Sequence, residues 1–393
     1  MAIATWIRLV LSGIGVFVSS WIVIPAPNRF LLPLGVGAPE VSPLLFLANG
    51  IALLLAVLPG KPSLVRAIAI GLSMVGLVLS SLPLLQLPAT LEQAAAMMQT
   101  TLGQNYLGQV PDTVKSKMRP QPIDLATLFR GLPVAALQPD RTTISAGDGT
   151  PLQLEIYRAD RQGLQPTLIS IYGGAWLRGQ PEDTRRFNQY MAAQGYTVVA
   201  IDYRHAPQHR FPAQLQDVRQ TLEFLQQNAA RYGIDRDRLA LVGWSAGGHL
   251  ALLAGYQPDA LPVRAIVGYY SPIDLTAGYF DLPNPDPIHT RQVLQSFLGS
   301  SPDHLPDLYK QASPISFVQP GLPPTLLLQG QRDHLVKPVF AQTIYDRLQA
   351  TGNTAVLIKL PWAEHAFDVI FPGIGNQIAL YYTERFLAWA LRR

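Results

Sequence analysis

Cysteine is absent from this sequence of 393 residues, and only 14% of the residues are charged. Without cysteine the chain forms no disulfide and uses neither a thiolate nucleophile nor cysteine metal ligands. The formal net charge is only +4, and no run of five or six like charges occurs. Because no basic stripe concentrates the positive charge, the composition does not indicate nucleic acid as a partner.

The low share of charge reflects an apolar N-terminus. Three apolar stretches cover Leu9–Ile24, Val41–Leu58 and Leu64–Leu87. Each is close to the ~17–25 residues that a helix needs to cross a bilayer, and Pro- and Gly-rich segments such as Pro33–Pro39 separate them as turns. We therefore predict a membrane region at residues 1–88 with about three transmembrane helices. The alternatives are buried helices of a soluble domain, or a first stretch that is a cleaved signal peptide.

The positive residues around these stretches predict an orientation. Arg8, Lys61 and Arg66 lie on the side of the N-terminus, whereas Arg29 is alone on the other side and no Lys or Arg occurs between residues 67 and 114. Because positive residues favour the cytoplasmic side, we expect an integral membrane protein whose C-terminal part is on the non-cytoplasmic side.

The remainder of the chain divides into a connector at residues 89–138 and a larger domain at residues 139–393. The connector begins with a predicted helix, Thr90–Leu102, and is then interrupted by prolines. Beyond it, β-branched runs alternate with helical patterns, which predicts an α/β fold with a mostly parallel sheet flanked by helices. The predicted strands are Leu152–Tyr157, Thr167–Tyr172, Thr197–Asp202, Leu239–Gly243, Ala265–Tyr270, Thr325–Gln329 and Ala355–Leu360. The predicted helices are Ala213–Tyr232, Ala246–Gly255, Pro338–Gly352 and Gln377–Leu391.

The motif Gly243-Trp-Ser245-Ala-Gly247 follows a predicted strand and precedes a predicted helix. A serine in such a turn is presented as a nucleophile, and the two glycines relieve the crowding of a sharp strand-to-helix turn. The alternative is a glycine-rich turn with a helix-capping serine. The position between strand and helix favours a nucleophilic Ser245.

A serine hydroxyl needs a base, and the base needs an acid to orient it. Asp333 and His365 each follow a predicted strand, in the chain order Ser, acid, His that this arrangement uses. Asp274 is the best alternative acid, and we interpret Glu364 as a solvated neighbour of His365. The other histidines are judged weaker by order or position: His205, His209, His249, His289, His304 and His334.

The tetrahedral intermediate of acyl transfer needs hydrogen-bond donors for its oxyanion. The predicted donors are the amide of Ala246 and the loop Gly173-Gly174-Ala175 after a predicted strand, which is otherwise a plain glycine turn. Tyr172, Trp176 and Trp244 flank these motifs, and we predict that they contact the substrate.

The motifs resemble the hormone-sensitive-lipase-like branch of the α/β-hydrolases and the related feruloyl-esterase-like carboxylesterases. The resemblance covers roughly residues 145–390 and is carried by four motifs in the family's order: Gly-Gly-Ala-Trp at 173–176, Asp-Tyr-Arg-His-Ala-Pro at 202–207, Phe-Pro-Ala at 211–213 with Asp217-Val218, and Gly-Trp-Ser-Ala-Gly-Gly-His at 243–249. It implies serine-dependent ester hydrolysis with Ser245, Asp333 and His365 as triad. The sequence departs from the family where Tyr172 replaces a histidine and Ala175 a glycine, and the apolar N-terminus has no counterpart in the common soluble members.

Residues 271–320 form an insertion that is either a cap over the site or a passive surface excursion. The prediction is a membrane-anchored serine hydrolase of small-molecule or lipid-derived carboxylic esters, without metal or organic cofactor. The alternatives are an acyltransferase or a peptidase with the same triad, and a non-catalytic binding protein on this scaffold.

Overall fold

A computed structural model describes residues 2–59, 62–159 and 163–392. Lys61, which the orientation prediction used, lies outside these residues. The described residues form an N-terminal group of helices and a helix-flanked sheet. The N-terminal helices are α1 (Ala2–Ser20), α2 (Leu32–Glu40), α3 (Ser42–Val57) and α4 (Leu64–Leu102).

Only α4 is by itself long and apolar enough to cross a membrane among the described residues. α2 and α3 meet this criterion together, but they are bent by 82° at Val41, and α1 is apolar but shorter. The prediction of about three spans is therefore supported for one helix, or for two if the bent pair counts as one span.

Two predictions about breaks in this region were wrong. The segment Pro33–Pro39 is not a turn, because it lies within α2. Pro33 lies in the first turn of this helix, where its lack of an N–H group costs no intrahelical hydrogen bond. The third apolar stretch and the predicted helix Thr90–Leu102 form one helix of 39 residues, α4, which crosses the predicted boundary at residue 88 and contains Pro83 and Pro88.

Small and polar residues form the contacts between α1, α3 and α4. Asn49 of α3 is buried and donates a hydrogen bond of 2.9 Å to the hydroxyl of Ser19. A Cβ at Gly15 of α1 or Gly76 of α4 would lie 2.3 Å from the Asn49 side-chain oxygen. The helices can therefore approach closely only because these positions are glycine, as expected for helix pairs with small residues at the interface.

The sheet has eight strands among the described residues, in the order β1-β2-β4-β3-β5-β6-β7-β8. β2 is antiparallel to both of its neighbours, and all other pairs are parallel. All seven predicted strands are present. β1 was missed because it is a polar, largely exposed edge strand without an apolar run. The strands are β1 (Asp140–Ser145), β2 (Pro151–Tyr157), β3 (Gln165–Ile171), β4 (Thr197–Ile201), β5 (Ile234–Trp244), β6 (Ala265–Tyr269), β7 (Thr325–Gly330) and β8 (Ala355–Leu360).

Helices cover both faces of this sheet, so that β3 to β7 are almost entirely buried. The predicted helix Ala213–Tyr232 is interrupted at Asn228, and the insertion 271–320 contains three short helices. The helices are α5 (Asp112–Lys115), α6 (Thr127–Arg130), α7 (Arg185–Ala193), α8 (Ala213–Gln227), α9 (Ala229–Tyr232), α10 (Ala246–Tyr256), α11 (Leu275–Phe280), α12 (Thr290–Leu298), α13 (Pro306–Gln311), α14 (Pro338–Ala350) and α15 (Ile374–Leu391).

Candidate active site

Ser245 occupies the turn between β5 and α10 with a φ of +50°. A non-glycine residue rarely adopts this left-handed conformation, and such strain is concentrated at functional sites. The neighbouring glycines are sterically required: a Cβ at Gly243 would lie 2.3 Å from the Gly247 carbonyl oxygen, and a Cβ at Gly247 would lie 2.0 Å from that of Ile171. The sharp turn that the motif predicted is therefore present.

The structure brings the three predicted triad residues together. The Ser245 Oγ lies 2.9 Å from the His365 Nε2, and the His365 Nδ1 lies 2.8 Å from the Asp333 Oδ2. His365 and Asp333 are both buried. The three residues follow β5, β8 and β7, whose carboxyl ends meet at one edge of the sheet.

The Asp333 carboxylate is held by further hydrogen bonds. Its Oδ1 accepts from the amides of Leu335 (2.9 Å) and Val336 (2.8 Å), and its Oδ2 accepts from the Gln329 side chain at 3.0 Å. These bonds fix the carboxylate against His365. The alternative acid, Asp274, instead caps α11 by accepting from the Ala277 amide at 2.9 Å.

Glu364 is buried, and its interpretation as a solvated neighbour was wrong. Its carboxylate accepts from the amide of His365 at 3.0 Å, and it contacts His334 through the backbone amide and the Nδ1, both at 2.6 Å. Two acid–histidine pairs therefore connect the loop after β7 to the loop after β8: Asp333 contacts His365, and Glu364 contacts His334. A charge can be buried here because it is paired and hydrogen-bonded.

The pair of Glu364 and His334 predicts a pH dependence of stability. The hydrogen bond to Glu364 raises the pKa of His334 above its ordinary value. The stabilisation is therefore fully present below the pKa of His334 in the unfolded chain and is lost as pH rises through its higher pKa in the folded protein. In thermal unfolding in detergent, we expect His334→Gln to lower Tm more at pH 5.5 than at pH 9. An equal loss at both pH values would contradict this role.

The loop after β3 lies against the nucleophile turn. A Cβ at Gly173 would lie 2.9 Å from the Trp244 carbonyl oxygen and 3.2 Å from the Ser245 Cβ. Gly174, Ala175 and Trp176 follow with φ values of +134°, +56° and +61°. Such a succession of positive φ values makes the backbone turn sharply beside Ser245. Ala175, which replaces the family's glycine, adopts the conformation at the cost of strain.

Ala246 begins α10 directly after Ser245. The amides of a first helical turn have no intrahelical acceptor and carry the positive end of the helix dipole. The predicted oxyanion donors therefore both adjoin Ser245: Ala246 follows it in the chain, and Gly173 of the Gly173–Ala175 loop lies against its side chain.

Tyr172 does not line the cavity beside Ser245, so the predicted substrate contact is not supported. It is buried, and its hydroxyl donates to the Asp202 carboxylate at 2.6 Å and lies 2.9 Å from the His205 Nε2. Its ring stacks on Tyr203 with a centroid distance of 4.5 Å. Burial raises the pKa of Tyr172 far above its ordinary value, so the hydroxyl remains a donor. Tyr172 thus attaches the start of the Gly173–Ala175 loop to Asp202 and His205. His205 therefore has a structural contact here and is not a candidate for the catalytic base.

Removal of this hydroxyl has a predictable effect. Tyr172→Phe leaves the Asp202 carboxylate without its 2.6 Å donor, and we expect a loss of about 1–2 kcal/mol in the free energy of unfolding. Because the loop carries the predicted oxyanion donors, we also expect kcat to fall while the substrate KM changes little. Chemical denaturation and steady-state kinetics measure the two effects, and an unchanged stability would contradict the role of the hydroxyl.

Trp176 and Trp244 line the cavity, and their contact with a substrate stays a prediction. The Trp176 ring stacks on Phe297 of α12 at 4.3 Å, and its Nε1 donates to the His249 Nδ1 at 3.1 Å. Burial lowers the pKa of His249 to about 4. The imidazole is therefore neutral near pH 7, and its Nε2 donates to the Ala312 carbonyl at 2.6 Å.

The cavity that contains Ser245 and His365 has a volume of about 590 Å³. Most of its wall is apolar, and the insertion 271–320 supplies part of it, including Ile273 and Leu294. The insertion therefore contributes to the cavity wall.

Sequence reasoning missed two residues beside His365. The Tyr270 ring lies 4.4 Å from the His365 ring, and the Tyr270 hydroxyl donates to the carboxylate of Asp368. Burial raises the pKa of Asp368 to about 6. Both residues line the cavity. The sequence signals that could have indicated these two residues were the position of Tyr270 directly after β6 and that of Asp368 three residues after His365.

The parallel sheet and the nucleophile turn at the carboxyl end of β5 define the α/β-hydrolase fold. The profile of the BD-FAE family matches residues 154–348. The chain is 30% identical over 333 residues to the probable carboxylic ester hydrolase LipM of Mycobacterium tuberculosis, a match that covers 79% of this chain and 76% of LipM. It is 32% identical over 252 residues to the esterase LipC of the same organism, covering 58% of this chain and 60% of LipC. The solved esterase of Pyrobaculum calidifontis has a similar fold, with a TM-score of 0.58 and 22% identity over 72% of this chain and 92% of that chain.

The chain therefore belongs to the α/β-hydrolase carboxylesterase family, the serine-type carboxylic ester hydrolases.

Proposed function

We propose that this protein is a membrane-anchored carboxylesterase that acts through an acyl-enzyme formed on Ser245. The observation that carries the proposal is the continuous series of contacts from the Ser245 Oγ to His365 and on to Asp333, at 2.9 Å and 2.8 Å. A binding protein on this scaffold would not need a strained serine, a base and an acid at these distances.

The proposed reaction proceeds in two stages. His365 removes the proton of the Ser245 hydroxyl as the Oγ attacks the ester carbonyl, and Asp333 stabilises the imidazolium that forms. The amides of Ala246 and of the Gly173–Ala175 loop donate to the oxyanion. His365 then gives its proton to the leaving alcohol. A water molecule then attacks the acyl-enzyme while His365 accepts its proton. As the bond between the acyl carbon and the Ser245 Oγ breaks, His365 returns this proton to the Oγ, and the acid leaves.

The membrane part of the proposal rests on α4 and on the apolar residues that α1 and α3 leave exposed. Phe17 of α1, Leu54 of α3 and Val78 of α4 have exposed fractions of 57%, 66% and 62%. Large apolar side chains exposed on three neighbouring helices are costly in water and favourable in lipid. We propose that these helices anchor the enzyme, with the catalytic domain on the non-cytoplasmic side.

The test is a panel of p-nitrophenyl esters of increasing acyl chain length, assayed with the full chain purified in detergent. We expect Ser245-dependent hydrolysis, with the Ser245→Ala variant as control. Addition of alcohol acceptors to the same assay distinguishes hydrolysis from acyl transfer, because a transferase would form the new ester in preference to the free acid. Alkaline extraction of membranes tests the anchor: release of the protein into the supernatant would contradict it.

A further inference from the structure

Part of the cavity wall comes from the N-terminal region of the chain. Arg29 and Leu32 line the same cavity as Ser245 and His365. Both belong to the segment that joins α1 to α3, in which residues 21–31 form turns and Leu32 begins α2. This segment, termed here the entry segment (residues 21–40), therefore takes part in forming the site as well as joining two apolar helices.

The entry segment is attached to the loops that carry the catalytic acid and base. Arg332, the residue before Asp333, donates a hydrogen bond of 2.6 Å to the carbonyl oxygen of Val23. At the other end, the buried carboxylate of Glu40 accepts from the Gly375 amide at 2.6 Å, ten residues after His365. Two separate hydrogen bonds thus hold the segment against the rim of the cavity.

Two arginines of the cavity wall have no ion-pair partner among the described residues. Arg29 and Arg178 both line the cavity and are exposed, and neither has an ion-pair partner among the described residues. Of the four carboxylates in the wall, Asp281 alone has an ion-pair partner among the described residues, Lys337. The other three accept hydrogen bonds from uncharged donors: the Gln180 amide for Asp183, the Ala277 amide for Asp274 and the Tyr270 hydroxyl for Asp368.

Apolar residues surround these arginines. Phe30, whose ring lies 5.1 Å from the Arg29 guanidinium carbon, is 77% exposed, and Val369 of the cavity wall is 63% exposed. Aliphatic and aromatic side chains form much of the wall, among them Leu32, Leu294 and Phe340. The cavity thus combines a largely apolar wall with exposed apolar side chains beside Arg29, which has no ion-pair partner among the described residues.

We propose that the substrate is an amphiphilic ester with an anionic headgroup, drawn from the membrane surface past the entry segment, and that Arg29 binds the headgroup. The inference rests on the proposed esterase activity and specifies its substrate class. An acyl chain fits the apolar interior, and the planar guanidinium of arginine matches the oxygen atoms of a phosphate or carboxylate. The entry segment joins α1 to α3, which the proposed anchor places in the bilayer, so the cavity would open close to the membrane surface.

The test compares two lipids that contain the same ester bond and differ by one phosphate group, 1-oleoylglycerol and 1-oleoylglycerol 3-phosphate. Full-length protein is reconstituted into phosphatidylcholine vesicles, and release of oleate is normalised to the fraction of Ser245 that a fluorophosphonate labels. We expect the wild type to prefer the phosphate-bearing lipid. Arg29→Gln is expected to reduce this preference about fivefold, as for a partly exposed ion pair, and Arg29→Lys to retain part of it.

Arg236→Gln is the matched control, because Arg236 is an exposed arginine at the opposite end of β5, outside the cavity. It should leave the preference unchanged. A wild type without preference, or an Arg29→Gln variant with the full preference, would overturn the proposal.

A third arm separates the substrate headgroup from the charge of the bilayer. Both lipids are assayed again in vesicles that contain phosphatidylglycerol. If Arg29→Gln slows the two substrates equally and only in these vesicles, Arg29 binds the membrane and not the substrate, which also overturns the inference. Failure of the esterase proposal looks different: neither lipid nor any p-nitrophenyl ester would be hydrolysed, and Ser245 would remain unlabelled.

Discussion

Replacement of Ser245 by alanine is expected to lower kcat for ester hydrolysis by roughly 10⁴–10⁶-fold, the range seen when a triad nucleophile is removed. The alanine lacks the Oγ that His365 contacts at 2.9 Å, so no acyl-enzyme can form. The measurement is the hydrolysis of a p-nitrophenyl ester that the wild type cleaves, together with labelling by a fluorophosphonate. Both signals should disappear.

Ser316→Ala provides the control, because Ser316 is a half-buried serine of the insertion that does not line the cavity. It should retain both hydrolysis and labelling. Labelling of the Ser245→Ala variant at wild-type level would place the nucleophile elsewhere and contradict the proposed mechanism. Since the alanine removes a single oxygen, Tm should change little, which separates loss of chemistry from loss of fold.

Replacement of Asp333 by asparagine is expected to have the second-largest effect, a loss of about 10⁴-fold in kcat. The amide cannot stabilise the imidazolium of His365, and it changes which His365 nitrogen carries the proton. Asp274→Asn tests the alternative acid. Because Asp274 accepts from the Ala277 amide at the start of α11, we expect mainly a modest loss of stability.

Steady-state kinetics of the two variants decide between the acids. The proposed assignment requires that the loss with Asp333→Asn exceeds the loss with Asp274→Asn by at least about 100-fold, given the size of the triad effect. The reverse order would make Asp274 the acid. A pH profile adds a second readout, since the wild-type dependence of kcat/KM reports the ionisation of the free enzyme, and this dependence should change with Asp333→Asn.

The sequence by itself determined the type of fold and the three residues that meet at the carboxyl ends of its parallel strands. Apolar runs without alternation predicted strands buried on both faces, and seven of them are β2 to β8. The order Ser245, Asp333, His365, each after a strand, was sufficient to predict their convergence, because parallel strands end at the same edge of the sheet. These are local signals, and local signals can be read along the chain.

The burial and the hydrogen-bond partners of side chains near the site were decided by tertiary contacts, which no local sequence pattern contains. A carboxylate beside His365 looks solvated in the sequence, yet Glu364 is buried because His334, thirty residues away, pairs with it. Tyr172 adjoins the oxyanion glycines, yet its hydroxyl is directed away from the cavity to Asp202. In both cases the side chain's partner comes from another loop, and the distance along the chain conceals it.

Contacts between distant parts of the chain also explain why the sequence did not reveal the position of Arg29 at the cavity. In the sequence it is a single cation between two apolar stretches and contributes only to a prediction of orientation. In the structure it lines the cavity of Ser245, because Arg332 and the Gly375 amide hold its segment at the rim of the site. The proposed chemistry of Ser245 thus follows from the order of residues along the chain, whereas the proposed access of a substrate depends on contacts between residues more than 300 positions apart.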